Sequence, residues 1–193
     1  LSEYGISYIK ARIANYDRYT YYEFVMRINF KRLIERNDRM DIMHEDDLGK
    51  VYDAFNDYMR QLMPEEQDAM PRLTDWYVNR IDYCVNVKTQ NVSEYINLLQ
   101  KSTIPYCYRL KHDENRNYTH KSGSLYLVST AKKKNRSTTI DCYDKYDEVK
   151  KKYDNGDSHV TAEVLEQSRD ILRLEVQCHK AKTGRIAAKY GFD

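Results

Sequence analysis

The sequence has no long run of apolar residues among its 193 positions. A membrane-spanning helix needs roughly 18 to 20 of them in succession, so we expect neither a membrane span nor a membrane partner. No signal peptide is visible at the start of the chain. The four cysteines, Cys84, Cys107, Cys142 and Cys178, form no Cys-x-x-Cys pair. We therefore expect free thiols in a reducing, cytoplasmic compartment rather than disulfides.

The chain also lacks a strong excess of either charge. Its net charge is only +2, although 32% of its residues are charged, so overall charge does not indicate a nucleic-acid partner. Two local clusters are basic, the first consisting of Lys132, Lys133, Lys134 and Arg136 and the second of Lys150, Lys151 and Lys152. Lysine runs are usually solvated surfaces, and a contact of the first cluster with a phosphate backbone stays open.

Phenylalanine and tryptophan are scarce, with 4 and 1 residues, whereas tyrosine is abundant, with 19. Many tyrosines suit a surface that stacks on bases or binds phosphates. They suit a mixed sheet core equally well. Composition alone therefore gives no tyrosine a particular role.

The pattern of apolar residues predicts an α+β protein. Strands are predicted over residues 7–14, 20–34, 76–87, 104–110, 124–130, 137–145 and 171–179. Helices are predicted over residues 45–63, 91–101, 146–153 and 160–168, followed by a basic tail that is helical or irregular. We expect a mostly antiparallel sheet with crossing helices, ferredoxin-like in its pattern. An internal duplication of that pattern stays open.

Three of the predicted strands have one apolar and one polar face, because successive side chains of a strand alternate. Their polar faces carry Arg80, Asp82, Cys84 and Asn86 in the first strand, Thr139, Asp141, Tyr143 and Lys145 in the second, and Arg173, Glu175, Gln177 and His179 in the third. If the three strands are neighbours, two carboxylates, a tyrosine and a lysine converge on one sheet face. These four residues are Asp82, Tyr143, Lys145 and Glu175.

Such a set of side chains suits phosphodiester chemistry. Mg²⁺ is usually held by one or two carboxylates together with waters and phosphate, and Asp82 and Glu175 can supply them. The phenol of Tyr143 has an ordinary pKa of about 10 and needs a nearby cation to act as a nucleophile. Lys145 can provide that cation. Any half-exposed antiparallel sheet also has a polar face, so the pattern by itself leaves a purely structural role open.

Four segments, in the same order, resemble the replication initiation proteins of filamentous phages and of related rolling-circle plasmids of the Rep_trans type. The family's Arg-Ile-Asp strand and the helix after it are matched by NRIDYCVNV and NVSEYINLL. A glycine-to-tyrosine strand of the plasmid initiators is matched by GSLYLVST. The strand ending in Tyr-x-Lys is matched by RSTTIDCYDKYDEVKKK. The Arg-(Phe/Leu)-Glu strand with its basic continuation is matched by ILRLEVQCHKAKTGRIAAKYGF.

The resemblance implies a role for several residues. Tyr143 is implied as the nucleophile that becomes joined to a 5′ DNA phosphate, and Lys145 as its phosphate or nucleophile partner. Asp82 and Glu175 are implied as ligands of Mg²⁺ or Mn²⁺. The residues expected to contact DNA are Arg80, Lys132, Lys133, Lys134, Arg136, Arg173, Lys180 and Lys182.

Some assignments keep an alternative. Tyr126, also on a predicted strand, is a second candidate nucleophile. Gln177 and His179 follow Glu175 on the same face, and we expect Gln177 to be the third metal ligand and His179 an exposed residue. The five histidines form no His-hydrophobic-His pair. The sequence therefore fits a carboxylate-based metal site rather than the histidine-based site of the better-known relaxases.

The resemblance implies one nicking and joining domain over residues 1–193, with a palm like that of Rep nucleases. The motifs lie within residues 76–193, and residues 1–75 match no motif. Its expected partner is origin DNA, single-stranded or cruciform, in the bacterial cytoplasm, and a host helicase and a second copy of the chain are further candidates. The main alternative is a non-catalytic module that binds single-stranded nucleic acid. A carboxylate nuclease that uses water as its nucleophile is a third interpretation.

Overall fold

The computed structural model describes residues 4–16, 19–35, 42–65, 71–110, 124–129 and 137–191. It consists of two compact units, Leu1–Trp76 and Tyr77–Asp193. Each unit combines strands with helices, so the predicted α+β class is confirmed. In the part of the chain that the structure describes, no helix is long and apolar enough to cross a membrane. Residues 111–123 and 130–136, the second of which includes the first basic cluster, lie outside the described residues.

The N-terminal unit is built on a hairpin of two long strands. β1 (Ile6–Tyr16) pairs antiparallel with β2 (Tyr19–Ile28), and a short helix, α1 (Phe30–Glu35), follows. The strand predicted over residues 20–34 was therefore wrong beyond Ile28. The strand ends there because the Asn29 side chain accepts a hydrogen bond from the backbone N–H of Arg32 at 3.2 Å, as the residue before a helix commonly does.

Helix α2 (Leu48–Leu62) supplies much of the core of this unit. Val51 and Phe55, four residues apart and therefore on one face of the helix, are among its most buried side chains and pack with Leu33 of α1. Gly5 precedes β1 with a φ of +71°, and a Cβ at this position would lie only 2.6 Å from the Asn29 carbonyl oxygen. The close approach of the two chain segments therefore requires glycine.

The C-terminal unit is a five-stranded sheet in which all neighbouring strands are antiparallel. Its strands are β3 (Arg80–Lys88), β4 (Tyr108–Leu110), β5 (Ser124–Ser129), β6 (Thr138–Asp144) and β7 (Ile171–His179). They lie in the order β3-β7-β6-β5-β4. The last strand in the sequence is thus inserted between β3 and β6, which makes the three motif-bearing strands neighbours.

Four helices accompany this sheet, three of them near the predicted positions and the fourth in the basic tail, which the sequence left as helical or irregular. They are α3 (Val92–Lys101), α4 (Lys145–Asp154), α5 (Ala162–Gln167) and α6 (Lys180–Tyr190). α3 covers the apolar face of the sheet, where Val92 and Ile96 pack against Leu125, Cys142 and Leu172. The opposite, polar face is therefore the one on which the candidate site has to lie.

Two predicted strands begin later than expected. β3 starts at Arg80 rather than at residue 76, because Trp76 ends a 3₁₀ turn and packs its ring edge-on against Phe55, with the ring centroids 5.8 Å apart. β4 starts at Tyr108 rather than at residue 104, because the N–H of Tyr108 closes a turn onto the carbonyl of Pro105 at 2.8 Å.

The predicted strand over residues 137–145 ends one residue early, at Asp144, and this change affects the site. Asp144 caps α4, since its carboxylate accepts a hydrogen bond from the N–H of Tyr146 at 2.9 Å. Asp147 and Glu148 in the first turn suit the positive end of the helix. Lys145 is therefore the first residue of α4 and does not continue the alternation of β6.

Removal of the Ile96 side chain tests the contact between α3 and the sheet. Ile96 is 1% exposed, whereas Leu98 on the same helix is 65% exposed. We expect Ile96→Ala to lower the free energy of unfolding by about 2 to 5 kcal/mol, through lost burial and a cavity, and Leu98→Ala by less than about 1 kcal/mol. Urea denaturation measures both, and equal losses would contradict the described packing.

Candidate active site

The polar faces of β3, β7 and β6 form one surface, because directly paired residues of an antiparallel sheet point to the same side. Glu175 of β7 lies opposite Asp141 of β6 and opposite Cys84 of β3. Tyr143 follows Asp141 by two residues, and Asp82 precedes Cys84 by two, so both share this face. The structure thus brings the predicted tyrosine and the two predicted carboxylates to one side of the sheet.

Tyr143 is half-buried on this surface, and its hydroxyl lies 3.5 Å from Oε2 of Glu175. Burial raises the pKa of Tyr143 far above its ordinary value. The cation of Arg173, directly opposite on β7, counteracts this rise, whereas the carboxylates of Glu148, Glu175 and Asp141 add to it. The phenol is therefore protonated in this environment and needs additional positive charge to react.

Asp141 is a candidate functional residue that the sequence analysis left without a role. Burial, and then the charge of Glu175 opposite, raise the pKa of Asp141 to about 6, with the backbone N–H of Cys142 opposing the shift. Two carboxylates that face each other in a partly buried place favour a bound cation or a shared proton. The sequence offers one signal that could have identified Asp141. It precedes Tyr143 by two residues, so both side chains lie on the same face of the strand.

Gln177 holds the carboxylate of Glu175 in place. Its amide nitrogen donates to Oε1 of Glu175 at 3.0 Å, and its oxygen accepts a hydrogen bond from the hydroxyl of Thr139 at 2.8 Å. Thr139 is 2% exposed, so this chain of contacts is anchored inside the protein. The Gln177 oxygen, which a metal would have to bind, is already engaged with Thr139. The arrangement favours a positioning role for Gln177.

Asp82 is paired with Arg80 on the same strand. The guanidinium donates to both carboxylate oxygens, from Nε at 2.6 Å and from Nη2 at 2.5 Å. Among the described residues, no three His, Cys, Asp or Glu side chains are grouped closely enough to hold a metal ion. Asp141 and Glu175 remain as a facing pair. Mg²⁺ and Mn²⁺ prefer oxygen ligands, and one or two carboxylates suffice for Mg²⁺, so this pair fits such an ion.

Lys145 does not lie on the strand face beside Tyr143. As the first residue of α4, its ammonium is bonded to the carboxylate of Glu148, and its side chain is only 12% exposed. Burial lowers the pKa of Lys145. The cation opposite Tyr143 is that of Arg173, which donates to Sγ of Cys84 at 3.0 Å. Arg173 is therefore better placed than Lys145 to act on the phenol.

The other predicted residues are distributed over the unit. Lys180 and Lys182 lie in the first turn of α6, exposed and half-buried respectively. Tyr126 of β5 is opposite Asp141, so the second candidate nucleophile shares the face of Tyr143. The first basic cluster lies outside the described residues and consists of Lys132, Lys133, Lys134 and Arg136.

One face of this antiparallel sheet therefore carries a phenol, a facing pair of carboxylates and the half-buried cation of Arg173, a set suited to a protein that acts on phosphate groups. The model of the Phage_CRI family, described as the N-terminal part of a replication-associated protein, matches residues 40–191. The chain belongs to this family of filamentous-phage replication initiators, which confirms the resemblance. Neither the curated proteins nor the solved structures gave a match.

The family match extends further toward the N-terminus than the motifs that the sequence analysis quoted. The sequence analysis found no motif in residues 1–75, but the match begins at residue 40 and includes α2. The amphipathic pattern of α2 indicated a helix without indicating a family. A replication initiator acts on an origin, so membership implies origin DNA as a partner.

Asp141→Asn tests the carboxylate pair through stability. In the folded chain the pKa of Asp141 is about 6, above its ordinary 3.8, so folding binds a proton between these values and loses stability as pH rises through this window. We expect the variant to gain about 1 to 2 kcal/mol over wild type near pH 7.5, a value reduced for solvent screening. Near pH 4 we expect almost no gain.

Urea denaturation at the two pH values measures this difference. Asp147→Asn, which removes an exposed carboxylate from α4, is the matched control and should show no gain at either pH, because this charge suits the positive end of the helix. A gain for Asp141→Asn that is equal at both pH values would contradict the raised pKa.

Proposed function

We propose that this chain nicks and rejoins one DNA strand at a rolling-circle origin, with Tyr143 as the nucleophile. The observation that carries the proposal is the position of the Tyr143 hydroxyl, 3.5 Å from Glu175 on the face that also holds Asp141. Membership of the replication initiator family supports the same reaction class. The attack would form a 5′-phosphotyrosine and leave a 3′-hydroxyl that a polymerase can extend.

Each protein group has a defined part in this reaction. The Tyr143 oxygen attacks phosphorus in line and the bond from phosphorus to the 3′ oxygen breaks. The phenol proton passes to Oε2 of Glu175, and the departing 3′ oxygen takes up a proton from solvent. Gln177 and Thr139 keep the Glu175 carboxylate oriented. Arg173 offsets the negative charge that develops near the phenol. In the reverse reaction a 3′-hydroxyl attacks the phosphotyrosine, so rejoining needs no ATP.

Asp141 and Glu175 would hold a Mg²⁺ or Mn²⁺ ion, with Asp82 as a further ligand if it leaves Arg80. When bound, such an ion polarises the scissile phosphate and offsets its charge. The facing carboxylates and the raised pKa of Asp141 support this assignment. Gln177 supports the ion indirectly, through its hydrogen bond to Glu175.

Basic residues at one end of the sheet give the DNA a path to this face. Arg80 pairs in register with His179, the last residue of β7, and Lys180 begins α6 directly after it. Arg80 and the first turn of α6 therefore lie at the same end of the unit. Phosphate contacts made there would position the strand without reading its sequence.

The nucleophile can be identified by comparing the two tyrosines of the sheet face. With origin DNA and Mn²⁺, we expect wild type and Tyr126→Phe to form a covalent protein–DNA adduct on denaturing gels. Tyr143→Phe should lower adduct formation by at least about a hundredfold, because it lacks the attacking oxygen. An adduct that survives in Tyr143→Phe and disappears in Tyr126→Phe would reverse the assignment, and DNA binding with no adduct in wild type would favour a non-catalytic module.

Metal binding can be tested without DNA. We expect Mn²⁺ to raise the unfolding temperature of wild type near neutral pH, because an ion that binds only the folded state stabilises it. Glu175→Gln should lose this increase, and Asp82→Asn should keep part of it, because Asp82 is engaged by Arg80. Glu94→Gln, at an exposed position of α3, is the control. An undiminished increase in Glu175→Gln would show that the ion binds elsewhere.

A further inference from the structure

A line of alternating charges runs along one face of α4, starting beside Tyr143. Lys145, Glu148 and Lys152 are three and four residues apart, so they lie on the same side of the helix. Oε2 of Glu148 accepts from the Lys145 ammonium, and Oε1 accepts from the Lys152 ammonium at 2.5 Å. The side chain of Lys145 is 12% exposed and that of Lys152 is 48% exposed. We call these three residues the α4 triad; it extends from the interior to the surface.

The α4 triad has positive neighbours near the phenol. Arg173 acts electrostatically on both Tyr143 and Lys145. With the two lysines of the triad it makes three cations, against the single carboxylate of Glu148. Asp144 is turned toward the N–H groups that begin α4, and it caps the helix. The surroundings of Lys145 are therefore mostly basic, whereas Glu148, Glu175 and Asp141 make the surroundings of Tyr143 acidic.

We propose that Lys145 and Lys152 form a subsite for a backbone phosphate of the DNA strand, next to the phosphate that Tyr143 attacks. The proposal rests on the proposed function in taking DNA as the ligand. A buried ammonium such as that of Lys145 needs a counter-charge, and Glu148 supplies it in the free protein. Because one carboxylate faces three cations, an incoming phosphate still finds net positive charge and ammonium donors.

A purely structural ion pair and a phosphate subsite respond differently to mutation. Lys152→Gln and Glu148→Gln break the same contact from opposite sides, so a structural role predicts effects of the same sign. A phosphate subsite predicts opposite signs, since Lys152→Gln removes an attractive charge and Glu148→Gln removes a repulsive one. The sign of the effect on DNA affinity therefore separates the two roles.

The experiment measures binding of the full chain to a mixed-sequence single-stranded oligonucleotide by fluorescence anisotropy. Every protein carries Tyr143→Phe, and no divalent metal is present, so that cutting does not interfere. We expect Lys152→Gln to weaken binding several-fold and to reduce the slope of log affinity against log salt by about 0.7, the value for one phosphate contact on a single strand. Glu148→Gln should strengthen binding several-fold.

Matched controls lie on the same helix. Lys151→Gln and Asp147→Asn make the same changes in net charge at neighbouring positions, and we expect smaller effects from both because residues one position apart point to different sides of a helix. Lys152→Arg keeps the charge and should restore the affinity lost in Lys152→Gln. Melting temperatures check that each variant is folded, and the reduced salt slope of Lys152→Gln identifies the phosphate contact even if Glu148→Gln does not fold.

Weaker binding in both Lys152→Gln and Glu148→Gln would overturn the proposal, as would changes no larger than those of the two controls. Failure of the proposed function gives a different result, namely no covalent adduct from wild type with Mn²⁺. Effects of opposite sign on DNA affinity, without an adduct, would support the phosphate subsite and contradict the nicking reaction. An adduct together with effects of the same sign on DNA affinity would contradict the phosphate subsite but not the nicking reaction.

Discussion

The double pairing of β7 determines the rest of the candidate site. Inserted between β3 and β6, this strand places Glu175 opposite Asp141 on one side and opposite Cys84 on the other. A shift by one residue would turn every polar side chain of β7 toward the apolar face. The register is held by that apolar face, where Ile96 of α3 packs with Leu172 of β7. The chemistry on one side thus depends on the core on the other.

The same pairing puts Tyr143 at a boundary between opposite charges. The carboxylates of Asp141, Glu175 and Glu148 lie on one side of this balance, and the cation of Arg173, directly opposite the phenol, lies on the other. Each charged group is partly buried, which is costly unless charges of opposite sign are close. The carboxylate pair is the least compensated part, as the raised pKa of Asp141 shows. A metal ion would compensate the charge of the carboxylate pair, and a DNA phosphate would compensate the charge of the nearby cations.

Much of this arrangement could be predicted from sequence, because the alternation in β6 and β7 and the spacing in α3 are local patterns. The order of the strands is not local, and the position of β3 at the sheet edge leaves Tyr83 and Val85 of its apolar side 55% exposed. β6 ends where Asp144 caps α4. The strand alternation of the sequence does not reveal this cap, so Lys145 was predicted on β6 although it is the first residue of α4. Asp141 stayed unassigned because its raised pKa depends on burial and then on a carboxylate 34 positions further along the chain, on another strand.

The central claim is that the phenol of Tyr143 carries the DNA after nicking. Trypsin digestion of the covalent adduct, followed by mass spectrometry, locates the attached nucleotides directly. We predict that they are found on the peptide of residues 137–145, which contains Tyr143. Nucleotides on the peptide of residues 122–132, which contains Tyr126, or on any other peptide would contradict the account.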